Sequence, residues 1–300
     1  MTVSTGDGIA TGQIVGAYGR HYLVDAAEQG MVECVTRGRR HDYACGDEVH
    51  LRIASNRQGV IEALLPRHNL LQRADRHHSK LLAANATQVI ALVAAEPSFS
   101  QEILTRIACA ASATGLRLQI VLNKADLQQA ADAARQRLAP LLQAGYALTV
   151  LSAKQDVAAL LPLLEGQTSV LVGQSGMGKS TLINALVPDA QARVGEISSF
   201  LDSGRHTTTR SFLYRLNAHS AIIDTPGLQH FGLAHLDALD IQRSFPELAP
   251  LLGHCRFNDC RHRSEPGCAI TEAVTRGTVA AERVRMMQRI LAAEGHRLGG

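Results

Sequence analysis

The nine residues GQSGMGKST, Gly173 to Thr181, follow the apolar run TSVLV and run into the helix-like KSTLINALV, which begins at Lys179. Gly173, Gly178, Lys179 and Ser180 satisfy G-x-x-x-x-G-K-[ST] between a strand and a helix, the context in which that pattern cradles phosphates. Such a loop obliges the chain to end a buried strand, curl its backbone and start a helix within a few residues. Gly176 adds freedom inside the curl, and the backbone N–H groups of Gln174, Ser175, Met177 and Thr181 can turn towards an anion at the helix start. Lys179 supplies a point charge between the outer phosphates, and the Ser180 hydroxyl suits a magnesium ion. The loop alone does not separate ATP from GTP.

The base is read elsewhere. Asn123, Lys124, Ala125 and Asp126 form NKAD at the end of the apolar run RLQIVL. The Asp126 carboxylate can accept both N–H groups of a guanine edge, a bidentate contact adenine does not offer. Asn123 can bond the base and brace the phosphate loop, while the Lys124 stem stacks on the ring. Ser152, Ala153 and Lys154 (SAK) end the next strand, where backbone N–H groups can meet the guanine carbonyl. DTPG, with Asp224 and Gly227, ends the strand AIID; its Asp suits magnesium and its Gly N–H suits the γ-phosphate. Between lies SGRHTTTR, whose Thr207, Thr208 and Thr209 form a candidate switch, with Thr208 assigned to magnesium alongside Ser180 and Asp224. Lys179 and Gly227 are the expected catalytic contacts on the phosphates.

The order NKAD, SAK, phosphate loop, threonines, DTPG is not the usual one. Moving the first two motifs to the end restores it, so the domain reads as circularly permuted, which closely spaced surface termini permit. Many switch GTPases place a Gln just after the DxxG glycine to orient water. Leu228 stands there, and leucine cannot do so; Gln229 is one position off. His206 is the candidate for that task, with a packing or RNA-contact role as the equal alternative. The chain also leaves DTPG straight into its last segment, so switch movements are expected to pass to residues 233–300.

Alternating strand and helix patterns from residue 85 predict a mostly parallel α/β sheet with helices on both faces. Ahead of them, five short runs of alternating apolar residues between 10 and 66 suggest a small closed barrel, either the oligonucleotide-binding type or another without a ligand. The expected layout is a barrel over 1–66, a permuted P-loop domain over 67–232 and a helical segment over 233–300. A net charge of +3 is too mild to prove nucleic-acid binding, but RHNLLQRADRHHSK carries Arg67, Arg73, Arg76 and Lys80 against one acid, Asp75. No apolar run reaches the roughly 18 residues of a membrane span, and no leader pattern opens the chain, so a cytoplasmic place is expected.

Three of six cysteines crowd near the C-terminus. Cys255, Cys260, His262 and Cys268 are spaced C-x4-C-x-H-x5-C, a closed three-thiolate, one-imidazole set typical of structural zinc. His254 competes with His262 on spacing alone.

With NKAD, GQSGMGKST, GRHTTT, DTPG, FGL, FPEL and the cysteine cluster together, the chain resembles the ribosome small-subunit-dependent GTPase A family along nearly its whole length. The resemblance selects His262 over His254. It implies an oligonucleotide-binding barrel, a permuted GTPase domain and a zinc-binding helical domain. It also implies a monomeric enzyme that hydrolyses GTP to GDP with Mg2+ and one Zn2+. Its partners would be the small ribosomal subunit, the rRNA and other assembly factors, with turnover stimulated by the subunit. An RNA-binding guanine-nucleotide sensor is the alternative. In the final helix Val284 and Met287 stand where the family usually carries aromatics.

Overall fold

A computed structural model of the chain describes residues 9–37, 42–54, 57–75, 78–188, 190 and 211–295. Alternating apolar and polar residues build five short strands, β1 (Ile9–Tyr18), β2 (His21–Asp25), β3 (Met31–Thr36), β4 (Glu48–Ile53) and β5 (Gln58–Leu64). They pair in the order β1-β2-β3-β5-β4, and β4 returns to β1, so the barrel closes. Ile14, Tyr22, Val24, Val32, Val49, Leu51 and Ile61 fill it. This is the expected five-stranded barrel, and closure removes the open edges that a sheet this small would otherwise expose.

The central sheet uses longer apolar runs. Its strands are β8 (Gln88–Ala94), β9 (Arg117–Asn123), β10 (Ala147–Val150), β11 (Thr168–Val172), β12 (Ser211–Arg215) and β13 (Ala221–Asp224). They lie in the order β10-β9-β8-β11-β13-β12, parallel except for β12. Every residue of β8 is buried, as a strand covered on both faces requires. The crossovers are α1 (Gln101–Ala113), α2 (Gln128–Gln143), the single turn α3 (Leu161–Leu164) and α4 (Lys179–Leu186). Ser100 caps α1 by accepting from the Ile103 N–H at 3.3 Å. NKAD, SAK, the phosphate loop and DTPG therefore all emerge at the carboxyl ends of neighbouring strands, where open α/β sheets bind ligands.

The basic stretch beginning at Arg67 folds into a hairpin that periodicity did not indicate, β6 (Leu70–Ala74) with β7 (Ser79–Ala84). Ala74 also pairs with the chain after DTPG: its N–H donates to the Gly232 carbonyl at 3.0 Å, and the Ala234 N–H donates to its own carbonyl at 2.9 Å. The barrel joins the central sheet directly, because β1 pairs with β12 at Gly16↔Phe212 and Ala17↔Ser211. Beside that joint the fully buried Asp47 carboxylate accepts from the Ala44 N–H at 2.7 Å and from Arg67 Nε and Nη2, each at 2.6 Å. Gly46, with φ +95°, lets this turn approach the Ala84 carbonyl; a Cβ there would sit 2.2 Å from that oxygen.

The C-terminal segment carries α5 (Ala238–Arg243), α6 (Ala269–Thr275) and α7 (Ala281–Ala293). Asp237 and Asp240 form a reciprocal cap on α5. Val284, Met287, Ile290 and Leu291 of α7 are buried in the same core as the central sheet, and α7 packs against α1 and α5. The last helix thus docks through aliphatic side chains. Arg283 pairs with Glu247 at 2.6 Å and lies over the Phe245 ring at 4.6 Å. Among the described residues no helix is long and apolar enough to cross a membrane.

Removing Arg67 would strand the buried Asp47 carboxylate. Arg67→Ala should lower stability by about 3 kcal/mol, read as a reduced urea midpoint; a midpoint unchanged from wild type would contradict this role for the pair.

Candidate functional site

A cavity of about 900 Å3 lies across the carboxyl ends of β9, β10, β11 and β13. Asn123, Lys124, Asp126, Ser152, Ala153 and Lys154 line it from the base-motif side. Ser175, Gly176, Gly178, Lys179, Ser180 and Thr181 line it from the phosphate loop, with Asp224 and Gly227 beyond. Two segments separated in sequence, with NKAD first, thus face one space.

Asn123 joins them. Its Nδ2 donates to the Met177 carbonyl at 3.0 Å, and its Oδ1 accepts from the N–H groups of Lys124 at 2.8 Å and Ala153 at 2.9 Å. Gly178 has φ +93°, and a Cβ on it would sit 2.4 Å from Asn123 Nδ2. That contact and that dihedral both require glycine. Lys124 reaches over the loop, its ammonium donating to the carbonyls of Glu96 at 2.6 Å and Gly176 at 2.9 Å. This leaves its aliphatic stem along the cavity wall.

The Ser152 hydroxyl donates to Asp126 Oδ1 at 2.6 Å, and chiefly for that reason the carboxyl is held below its usual range. Asp126 is therefore an ionised acceptor at neutral pH, as pairing with two base N–H groups requires. Lys179 donates to the carbonyls of Gly173 at 2.9 Å and Gln174 at 3.3 Å, and burial lowers its pKa. Burial likewise pushes Asp224 up to about 6. Asp224 Oδ1 is buried without a hydrogen-bond partner among the described residues. An orphaned carboxylate oxygen on a residue that shares one cavity with Ser180 and Lys179 fits a hydrated divalent cation.

The remaining loop residues act as supports. Gly173 passes so close to β8 that a Cβ would sit 2.5 Å from the Leu92 carbonyl. Gln174 Oε1 accepts from the Ser100 N–H at 2.6 Å. Met177 is buried, and the Ala125 N–H donates to the Leu151 carbonyl at 3.1 Å. Leu228 is only 2% exposed, and its N–H is committed to the Gly173 carbonyl at 3.1 Å. His206, Thr207, Thr208 and Thr209 lie outside the described residues. Glu96, Pro97, Leu127 and Thr225 also line the cavity. Glu96 and Pro97 were missed because no motif marks the turn after β8, whose position beside the phosphate-loop strand was the only available signal; Leu127 and Thr225 sit next to or inside NKAD and DTPG but are not among the residue types those motifs assign to the nucleotide.

A second site lies between α5 and α6. The ligand atoms of Cys255, Cys260, His262 and Cys268 fall within 4.8 Å of one another, and His254 is not in the group. His262 Nδ1 lies 3.5 Å from the sulfurs of both Cys255 and Cys268, which are 3.9 Å apart. Tetrahedral zinc, with Zn–S near 2.3 Å, needs about 3.8 Å between sulfurs and about 3.5 Å from sulfur to nitrogen. The donor set and its spacing fit that ion. Gln288 of α7 donates to the His262 carbonyl at 2.7 Å, tying the knuckle to the last helix.

Residues 64–234 match the RsgA GTPase family. The chain is 49% identical over 281 residues to the small ribosomal subunit biogenesis GTPase RsgA of Nitrosospira multiformis, spanning 94% of this chain and 90% of that protein. Its fold is similar to the crystal structure of YjeQ from Thermotoga maritima, with TM-score 0.73 and 27% identity over 96% of this chain and 99% of that one. It is also similar to YloQ, described as a circularly permuted GTPase, with TM-score 0.68 and 22% identity over 98% and 99% of the two chains.

Gly178→Ala should weaken binding of a fluorescent GTP analogue at least about tenfold, since the added methyl both strains φ and displaces Asn123; affinity within twofold of wild type would contradict the brace. Cys260→Ser should lower bound zinc well below one ion per chain by atomic absorption and bring α7 to earlier proteolysis. Full zinc content in that variant would count against the four-ligand site.

Proposed function

The chain belongs to the RsgA GTPase family of circularly permuted P-loop GTP hydrolases, and on that premise we propose that it works on the small ribosomal subunit late in maturation, which accelerates a slow intrinsic GTP hydrolysis. The observation that carries the reading is Leu228. The position after the DTPG glycine holds a buried aliphatic side chain whose backbone is pinned to Gly173, so it brings no group to the attacking water. The chain therefore depends on another group, and a macromolecular partner that positions one makes hydrolysis conditional on binding.

In this reading Asp126 accepts from the guanine edge, the Lys124 stem stacks on the ring and the Ala153 segment meets the guanine carbonyl. The backbone from Gly173 to Thr181 wraps the phosphates, and Lys179 leaves its two carbonyls to neutralise the outer ones. The Gly227 N–H meets the γ-phosphate. Ser180 and Asp224, with Thr208, would hold magnesium, which when bound offsets phosphate charge as it builds towards the leaving oxygen. Water adds to the γ-phosphorus, the bond to the bridging oxygen breaks, and GDP and phosphate result. His206 is the residue assigned to orient that water. The knuckle of Cys255, Cys260, His262 and Cys268 would hold zinc as a structural ion that closes the loop between α5 and α6. The barrel (1–66) and the helical segment (233–300) serve as contacts for rRNA, flanking a GTPase domain over 67–232. The protein acts as a cytoplasmic monomer alongside other assembly factors.

GTP turnover measured with and without purified small subunits should differ by at least about tenfold; equal rates would leave a guanine-nucleotide sensor rather than a stimulated enzyme. Asp126→Asn should move nucleotide preference from guanine to xanthine, and unchanged preference would remove Asp126 from the base site. His206→Ala should reduce subunit-stimulated turnover about a hundredfold with GTP affinity nearly intact, within the 10²–10⁴ range of a positioned proton-handling group. Equal loss of affinity and turnover would defeat that assignment.

A further inference from the structure

A second cavity, of about 520 Å3, shares no wall residue with the nucleotide cavity. It opens at the seam between barrel and hairpin, lined by Gly19 in the β1–β2 turn, Asp42, Tyr43, Arg67, Lys80 of β7 and Ser211, the first residue of β12.

The two cations of this cleft are in different states. Arg67 is neutralised by Asp47 and belongs to the frame. Lys80 has no ion pair among the described residues. It stands directly opposite Arg73 in the β6–β7 register. Like charges facing each other across a strand pair destabilise the pair. Burial and the Arg73 charge both lower the Lys80 pKa, and Asp42, the carboxylate in the cleft wall, forms no ion pair with it among the described residues. A half-buried ammonium facing another cation, beside an open cleft, is stabilised when an anion enters.

Two further observations indicate which anion and to what effect. The β1–β2 turn of a five-stranded barrel of this order is one of the loops through which such barrels contact oligonucleotides. The cleft is also connected to both chain segments flanking the nucleotide switches, one through its own wall and the other through the strand paired with β7. Ser211 is reached directly from the threonines 207–209, and β6 holds the segment after DTPG through Ala74 and through Arg73 Nη1, which donates to the His230 carbonyl at 2.8 Å.

We propose that this cleft binds a backbone phosphate of RNA through Lys80, and that RNA seated there acts on both switch-flanking segments. The inference rests on the reading that an RNA-bearing partner stimulates hydrolysis, and it adds the place at which that RNA is sensed. Recognition is of the phosphodiester, not of the base, since the Tyr22 and Tyr43 rings are buried and offer no stacking face.

The test uses the full chain with Lys80→Ala, Lys80→Glu and Lys80→Arg. Binding of a fluorescent single-stranded RNA oligonucleotide is titrated across salt concentrations, and GTP turnover is measured with and without small subunits. Lys80→Ala should weaken RNA binding several-fold and reduce the slope of log affinity against log salt by about 0.7, one phosphate contact on a single strand. Lys80→Glu should weaken it further and Lys80→Arg should restore it. The ratio of stimulated to unstimulated turnover should fall in step. Lys80→Ala and Lys80→Glu that bind RNA with wild-type affinity and slope overturn the site. If wild-type turnover ignores subunits while the variants still lose RNA affinity, the site stands and the stimulated-enzyme reading falls. Inorganic phosphate that saturates the cleft at low millimolar concentration, with RNA affinity independent of Lys80, assigns it to a small anion and overturns the proposal.

Discussion

The carboxamide of Asn123 is the contact on which the nucleotide site depends. It is buried, and it satisfies one acceptor and two donors: the carbonyl of Met177 in the phosphate loop, and the N–H groups of Lys124 in its own motif and Ala153 after β10. Leaving such a group unpaired in the interior costs about 1–3 kcal/mol. Those partners hold the two nucleotide-reading halves in register whatever the order of the chain between them. A permuted sequence can therefore build an ordinary guanine site, because the interaction that assembles it is spatial. It also explains why Gly178 has no freedom to be anything larger.

Much of this was legible because it is local. The phosphate loop, NKAD, SAK and DTPG each announce themselves by a motif at the end of an apolar run, and strand ends of a parallel sheet share one side. The barrel was legible through its period-two alternation. The β6–β7 hairpin was not: RADRHHSK looks like a solvated face, and a register shift between Leu71 and Gln72 breaks the alternation. Its justification is non-local, in the pairing of Ala74 with Leu233. The docking of the C-terminal segment was likewise not legible. Ile270, Met287, Ile290 and Leu291 join the core of the central sheet, a fact that no local pattern encodes.

Arginines paired with carboxylates hold the seams between parts. Arg67 with Asp47 locks the barrel turn to the connecting segment. Arg106 of α1 meets Glu102 and Glu294, and it lies 3.4 Å from the carbonyl of Phe231, a few residues after DTPG. Arg283 with Glu247 fixes α7 over Tyr146 and Phe245. Buried pairs of this kind add little net stability compared with apolar packing, yet breaking one is costly. Their value here is positional. Guanidinium forks accept only a narrow set of geometries, so each seam has one preferred docking.

The pairing of β1 with β12 has a mechanical consequence. Barrel and nucleotide sheet are not beads on a linker but one run of hydrogen-bonded strands, eleven among the described residues. Turning the barrel away from the nucleotide pocket would mean breaking ladder bonds at Gly16 and Ala17. The distance from barrel surface to pocket is thus a fixed length built into the sheet. A partner touching both must present surfaces at that separation, and one whose own parts are not yet in place will meet the gauge at only one end.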